Sequence, residues 1–114
     1  YGPLAHGLLT GAMAPETTFE DDDWRRSLRA FGQPIFEGET FLENLRKVDK
    51  LKDVAASKGM TVAQLALAWV LAEEVVSVAL VGTRKPEEIE QNVKAAEWEM
   101  TPTDRDEIRA IVTG

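Results

Sequence analysis

The chain has 114 residues, of which 44% are hydrophobic and 29% charged, a composition typical of a folded domain and unlike that of a disordered one. Its 13 Lys and Arg against 20 Asp and Glu give a net charge of −7, which excludes broad nucleic-acid or anionic-membrane binding, and no stretch approaches the roughly 18 apolar residues of a membrane span. It has no cysteine, which excludes disulfides and thiolate metal sites, and we take the cytoplasm as the expected compartment.

Residues 1–11 predict a tight loop that leaves a strand. Three glycines and one proline surround short apolar pairs there, and such a composition favours exposed, sharply turned backbone over a helix. The segment holds His6, the single histidine, which without cysteine or an ordered carboxylate set is a poor candidate for a metal ligand.

Residues 12–38 predict a long irregular connection. It contains the run Asp21-Asp22-Asp23-Trp24-Arg25-Arg26. We interpret the three acidic residues as a solvated loop, because consecutive side chains diverge and do not converge on a cation. A connection of this length usually serves a function or moves, so Trp24, Arg25 and Arg26 are candidates for a substrate-facing lid.

Residues 39–114 predict the order helix, helix, strand, helix, helix. Thr40 with Glu43 and Thr61 with Gln64 have the spacing of capping boxes, and Thr101 before a proline predicts the start of the last helix. Apolar side chains at three- to four-residue spacing predict the buried stripe of the first helix: Leu42, Leu45, Val48, Leu51 and Val54. In the helix that begins at Pro86, the predicted inner face is Ile89, Val93 and Ala96.

The segment Val75–Val81 predicts the one clear strand. It is β-branched and almost continuously apolar, as a strand buried on both faces should be. A lone strand cannot satisfy its own backbone N–H and C=O groups. Its partners must therefore come from an upstream part of the protein or from another copy of the chain.

The junction between this strand and the next helix has the ingredients of a phosphate site. Gly82 allows close backbone approach, Thr83 adds a hydroxyl, and Arg84 and Lys85 add positive charge beside a helix N-terminus. One turn further on, Glu88, Gln91 and Asn92 share one helix face, where amide side chains could read a purine edge. The alternative for both features is a solvated basic loop and a solvated helix face, since Glu87, Glu88 and Glu90 offset the two cations.

Two runs resemble cofactor motifs of the aldo-keto reductases. Tyr1-Gly2-Pro3-Leu4-Ala5-His6-Gly7-Leu8-Leu9-Thr10-Gly11 is similar to their Tyr-Ser-Pro-Leu-x-x-Gly-x-Leu-Thr-Gly run, and Gly82-Thr83-Arg84 followed by Gln91-Asn92 is similar to their second motif. The resemblance implies an α/β fold, a (β/α)8 TIM barrel. A full barrel needs about 250 residues. We therefore expect the C-terminal portion, from the end of strand 7 onward, helix-rich with one clear strand.

The resemblance also implies a site for a nicotinamide cofactor. Tyr1 would stack on the nicotinamide, the 2′-phosphate would bind at Thr83 and Arg84 beside Gly82, and the adenine at Gln91 and Asn92. The residues that would line the pyrophosphate are Gly2, Pro3, Leu4 and Gly7. A guanidinium–phosphate contact favours NADP(H), and Glu88, where the family often has Gln or Arg, keeps NAD(H) as the alternative.

The implied activity is reduction of a small carbonyl substrate, an aldehyde or ketone. The family's catalytic Tyr, Lys, Asp and His all precede the first motif, so none is expected here and the isolated chain should be inactive. Two alternatives stay open: a non-catalytic nucleotide-sensing or assembly module, and an inactive truncated fragment that pairs or aggregates through its strand.

Overall fold

The computed structural model describes residues 1–114 and contains four α-helices. They are α1 (Gly38–Ser57), α2 (Val62–Leu71), α3 (Pro86–Val93) and α4 (Pro102–Thr113). Short 3-10 helices lie at Ala5–Thr10, at Trp24–Ser27 and, directly after α3, at Lys94–Glu97. No single helix is both long and apolar enough to span a membrane. Only α1 and α2 taken together have the length and composition of a span, and the angle between these two helices is 86°.

The buried stripe of α1 packs against residues from both earlier and later parts of the chain. Its members are Phe41, Leu45, Val48, Leu51, Val54 and Ala55. The prediction of this stripe is confirmed except at its start, where Phe41 is buried in place of Leu42. The N-terminal half packs against Leu8, Ala30 and Phe36, and the C-terminal half against Val62, Leu65 and Ile108. Thus α1 joins the long connection to α2 and α4.

The helix starts were predicted correctly in three cases out of four. Thr61 accepts the Gln64 N–H and begins α2, Thr101 does the same with Asp104 for α4, and Pro86 begins α3. The capping box at Thr40 is wrong. The Phe41 N–H already donates to the Glu37 carbonyl oxygen at 3.1 Å, so Thr40 lies inside the first turn of α1, which has no side-chain cap.

The predicted strand at Val75–Val81 does not form. Residues 76–83 have no regular secondary structure, and Val75 and Val78 are 93% and 64% exposed. The only β-bridge joins Ala30 to Gln33, which are distant in sequence from the Val75–Val81 segment. The reason is that a strand needs a neighbouring strand for its hydrogen bonds, and residues 1–114 contain none.

Two neighbouring predictions need correction as well. The expected inner face of α3 is not covered, since Ile89 and Val93 are 53% and 62% exposed beside the unpaired segment. The predicted loop at residues 1–11 contains the 3-10 helix Ala5–Thr10, interrupted by positive φ angles at His6 and Gly7. Both differences have a tertiary cause. The apolar face of α3 has no layer covering it, and the 3-10 helix Ala5–Thr10 is packed onto α1 through Leu8.

Candidate functional site

One open cleft lies where the first segment, the long connection and the junction before α3 meet. Its volume is about 1120 Å³. The predicted site residues that line it are Gly2, Pro3, Leu4, Gly7, Gly82 and Arg84. The fold therefore brings together residues of two motifs that are far apart in the sequence.

The other four predicted residues lie outside this cleft. Tyr1 is 94% exposed, and the centre of its ring is 6.4 Å from that of Phe31. Thr83 and Asn92 line a separate, mainly apolar groove between α2, α3 and the unpaired segment. Gln91 lies on a third surface, near the start of α2. The two residues predicted for adenine thus face away from the large cleft.

Left-handed backbone shapes the wall formed by residues 2–7. Gly2 has a φ of +65°, and a Cβ atom there would lie 2.7 Å from Cζ of Phe31. Gly7 has a φ of +103°, and its Cβ would lie 3.0 Å from Nη1 of Arg25. Only glycine combines these angles with such close neighbours, so both positions present backbone to the cleft.

Arg25 ties the long connection to this wall. Its Nη1 donates to the carbonyl oxygen of His6 at 3.0 Å, and its guanidinium pairs with Asp23 at 2.6 Å and lies 4.8 Å above the ring of Phe19. The hydrogen bonds from Arg25 lower the pKa of the Asp23 carboxyl below its usual value. Arg25 is thus a paired structural cation, although it lines the cleft.

An aromatic cluster forms beside Arg25. The His6 ring lies 4.6 Å from that of Trp24, edge-on, and 4.6 Å from that of Phe31. Trp24 also lines the cleft. Its role in a substrate-facing lid stays a prediction. Nothing in the sequence identified Phe31 as a member, because its contact with His6 depends on the turn at residues 30–33.

The junction before α3 carries the free positive charge of the cleft. The guanidinium of Arg84 makes no ion pair. Its backbone N–H, however, donates to Oε2 of Glu88 at 2.8 Å. Glu88 therefore occupies a donor that an anionic ligand at this junction would use. The sequence indicated a carboxylate near this site but not the hydrogen bond.

The charges that line the cleft are mixed. Four carboxylates, those of Glu20, Asp22, Asp23 and Glu88, accompany the guanidinium groups of Arg25 and Arg84. One carboxylate is neutralised by Arg25. The remaining acidic groups outnumber the single unpaired cation, so negative charge on a ligand is attracted only next to Arg84 and is repelled elsewhere in the cleft.

Comparison with known proteins gives the family. The model of the aldo/keto reductase family matches residues 1–113. The chain therefore belongs to the aldo/keto reductase family.

Individual relatives agree with this. An aldo-keto reductase yakc [NADP(+)] of Schizosaccharomyces pombe is 33% identical over 109 residues, which are 96% of this chain and 31% of that protein. A putative voltage-gated potassium channel subunit beta of the same yeast is 36% identical over 107 residues, 90% of this chain and 30% of that protein. The chain spans about a third of the length of the curated relatives it matches.

A solved structure shows the same fold. The glycerol dehydrogenase AKR11B4 from Gluconobacter oxydans matches with a TM-score of 0.87 and 33% sequence identity, over 99% of this chain and 33% of that protein. The four helices and the segments between them are thus part of a (β/α)8 barrel. This explains why the Val75–Val81 segment has strand character and no partner among residues 1–114.

The large cleft fits a nicotinamide dinucleotide in shape and in part in chemistry. Its volume is adequate for such a ligand, and it is lined by two left-handed glycines that expose backbone and by the unpaired guanidinium of Arg84. The roles of Gly2, Gly7 and Arg84 at the phosphates stay predictions, and Thr83, predicted beside Arg84, lies outside the cleft.

Proposed function

We propose that the chain provides cofactor-binding elements of an NAD(P)H-dependent aldo-keto reductase that reduces a small aldehyde or ketone. The single observation that carries the proposal is the meeting of Gly2, Gly7 and Arg84 in one cleft. Membership of the family supports the oxidoreductase class. The substrate is the carbonyl compound, and the cofactor supplies a hydride when it is bound.

The residues of the chain bind and orient the cofactor. Backbone at Gly2 and Gly7 faces the pyrophosphate, Arg84 binds the phosphate on the adenosine ribose, and Tyr1 stacks on the nicotinamide ring. Trp24, at the edge of the cleft, excludes water and contacts the substrate. The proton for the substrate oxygen comes from a tyrosine outside these residues, so the isolated chain does not turn over an aldehyde.

The cofactor preference depends on two opposed charges at the same junction. The unpaired guanidinium of Arg84 favours the 2′-phosphate of NADPH, and one relative is named for NADP(+). The carboxylate of Glu88 opposes it. We propose NADPH as the preferred cofactor, with a smaller margin over NADH than a site without this carboxylate would give.

The proposal is tested by calorimetric titration of the purified chain with NADPH and with NADH, repeated for Arg84→Ala. We expect saturable NADPH binding that the substitution weakens by roughly tenfold, because a charge-assisted contact is lost. Lys85→Ala is the matched control, since it removes an adjacent exposed cation that does not line the cleft. Equal losses in both variants, or no binding of either nucleotide, would contradict the assigned site.

A second candidate function is a non-catalytic subunit that binds nucleotide in an assembly. The observation that favours it is the relative named as a putative potassium channel subunit beta. The two functions differ outside residues 1–114, where the reductase requires the family's Asp, Tyr, Lys and His. Turnover of an aldehyde by the protein at its natural length would support the reductase, and nucleotide binding without turnover would support the subunit.

A further inference from the structure

Helix α3 is weakly attached to the rest of the molecule. None of its side chains is buried. Its firm attachment lies at its C-terminal end, where Ala95, in the following 3-10 helix, is 1% exposed and packs on Leu67 and Ala68 of α2. The helix nevertheless carries Glu88, Gln91 and Asn92 and directly follows Arg84. Its position therefore decides the geometry of the junction.

Gln64 of α2 makes the one side-chain hydrogen bond that reaches α3 from another element. Its Nε2 donates to the carbonyl oxygen of Gln91 at 2.9 Å. The same side chain accepts the Thr61 N–H through Oε1, also at 2.9 Å, and only 8% of the residue is exposed. Because both the oxygen and the nitrogen of the amide make hydrogen bonds, the Gln64 side chain is fixed in one orientation.

The buried amide connects a deeply buried helix, α2, to a helix that has no buried side chain, α3. α2 is the most deeply buried helix, with Leu65 1% exposed and Ala68 2% exposed. The Gln91 carbonyl oxygen also accepts the Lys94 N–H, so the hydrogen bond from Gln64 is the additional contact that ties the last turn of α3 to α2. A shift of that turn would move Asn92, which lies in it. It would also displace Arg84, which precedes the first residue of the same helix.

We propose that Gln64 is a positioning residue for the adenosine half of the cofactor site. It touches no ligand and acts through α3. The inference rests on the proposed function, because it assumes that Arg84, in the junction before α3, binds the phosphate on the adenosine ribose. The role concerns that half alone, since residues 2–7 are held by other contacts, those of Arg25 and Leu8.

The test compares two half-ligands in the protein at its natural length. Adenosine 2′,5′-bisphosphate, which carries the 2′-phosphate, probes the adenosine half, and reduced nicotinamide mononucleotide probes the other half. Gln64→Met keeps the length and apolar stem of the side chain and removes both hydrogen bonds. We expect the bisphosphate to bind roughly threefold to tenfold more weakly and the mononucleotide to bind unchanged. Gln64→Glu, which retains the acceptor for Thr61 but loses the donor to Gln91, should show the same selective loss.

The control is Thr101→Ala, which removes an equivalent helix cap at α4 without contact to α3. It should lower stability and leave both affinities unchanged. Equal weakening of both half-ligands by Gln64→Met, or an affinity for adenosine 2′,5′-bisphosphate equal to that of wild type, would overturn the positioning role while leaving the proposed function intact. A wild-type protein that binds neither half-ligand nor NADPH would overturn both.

Discussion

Glu88 is the residue at which local electrostatics act most directly on ligand choice. Its carboxylate accepts the Arg84 N–H at 2.8 Å, within the cleft that contains the Arg84 side chain. Glu88→Gln removes one negative charge and keeps a hydrogen-bond acceptor. We expect NADPH to bind about threefold to tenfold more tightly, with a smaller gain for NADH, which lacks the 2′-phosphate. Titration with both nucleotides measures the difference.

Glu87→Gln is the appropriate control for this prediction. Glu87 is in the same helical turn, is equally exposed and carries the same charge, but it does not line the cleft. A general effect of net charge would change NADPH binding equally in both variants. That outcome would show that the hydrogen bond to Arg84 has no special role.

Asp104 links stability to pH. Its Oδ1 pairs with Nζ of Lys58 at 2.9 Å, its Oδ2 accepts the Thr101 N–H, and 6% of the residue is exposed. The hydrogen bond from Lys58, followed by those of Thr101, lowers the pKa of the Asp104 carboxyl from 3.8 to about 2. Because the pKa is lower in the folded state, the carboxylate stabilises the fold above pH 3.8, and this stabilisation is lost as the pH falls toward 2.

The corresponding prediction concerns Asp104→Asn. At neutral pH the variant should unfold at a lower urea concentration than wild type, and the difference should shrink as the pH falls below 3.8. Asp106→Asn, on the same helix, changes an exposed carboxylate without an ion pair and should show no such convergence. Urea midpoints measured across the acid range distinguish the two. A difference for Asp104→Asn that is constant with pH would contradict the assignment.

At the scale of elements, we expect substitution of the two threonines predicted as caps to change stability by different amounts. Thr61 accepts the Gln64 N–H and begins α2, whereas Thr40 lies within the first turn of α1 and makes no cap. Thr61→Ala should therefore lower the free energy of unfolding by about 1 kcal/mol. Thr40→Ala should change it by less than about 0.5 kcal/mol, since only an exposed hydroxyl is lost.

Chemical denaturation of the two variants side by side checks this pair. Each serves as the control for the other, because both replace an exposed threonine with alanine near a helix start. Equal losses of stability would mean that Thr40 also caps its helix in solution. The capping box predicted from the spacing of Thr40 and Glu43 would then be correct.

At the scale of the whole molecule, the uncovered apolar face should govern association of the isolated chain. Val78 is 64% exposed and lines one groove with Ile89 and Val93 of α3, and Val75, in the same segment, is 93% exposed. Contiguous apolar surface of this kind is a site of association, and here its unpaired backbone adds hydrogen-bonding groups. We expect the purified chain to associate with increasing concentration, as measured by sedimentation or light scattering.

Lysine at two of these positions should suppress the association. The variant Val78→Lys with Val93→Lys places two like charges on the uncovered face and should remain monomeric at concentrations where the wild type does not. Val112→Lys, at a 48% exposed position on α4 away from this face, is the control and should associate like wild type. A wild-type chain that is monomeric throughout would contradict the prediction.

Local sequence determined the elements whose causes are local. The capping spacing at Thr61, the proline at position 86 and the apolar repeat through Leu45, Val48 and Leu51 each specify a helix by contacts within a few residues, and each was predicted correctly. The two cofactor motifs were also visible, because each is a short run. The sequence by itself thus determined the helices, the family resemblance and the candidate residues.

Tertiary structure decided what depends on neighbours distant in the chain. The Val75–Val81 segment has strand composition but no partner, so its pairing could not follow from its own residues. Phe31 joined His6, and Gln64 met Gln91, through contacts that no short-range pattern encodes. The cleft that unites Gly2 with Arg84 arises the same way, because packing on α1 and α2, and not sequence spacing, brings these two distant segments together.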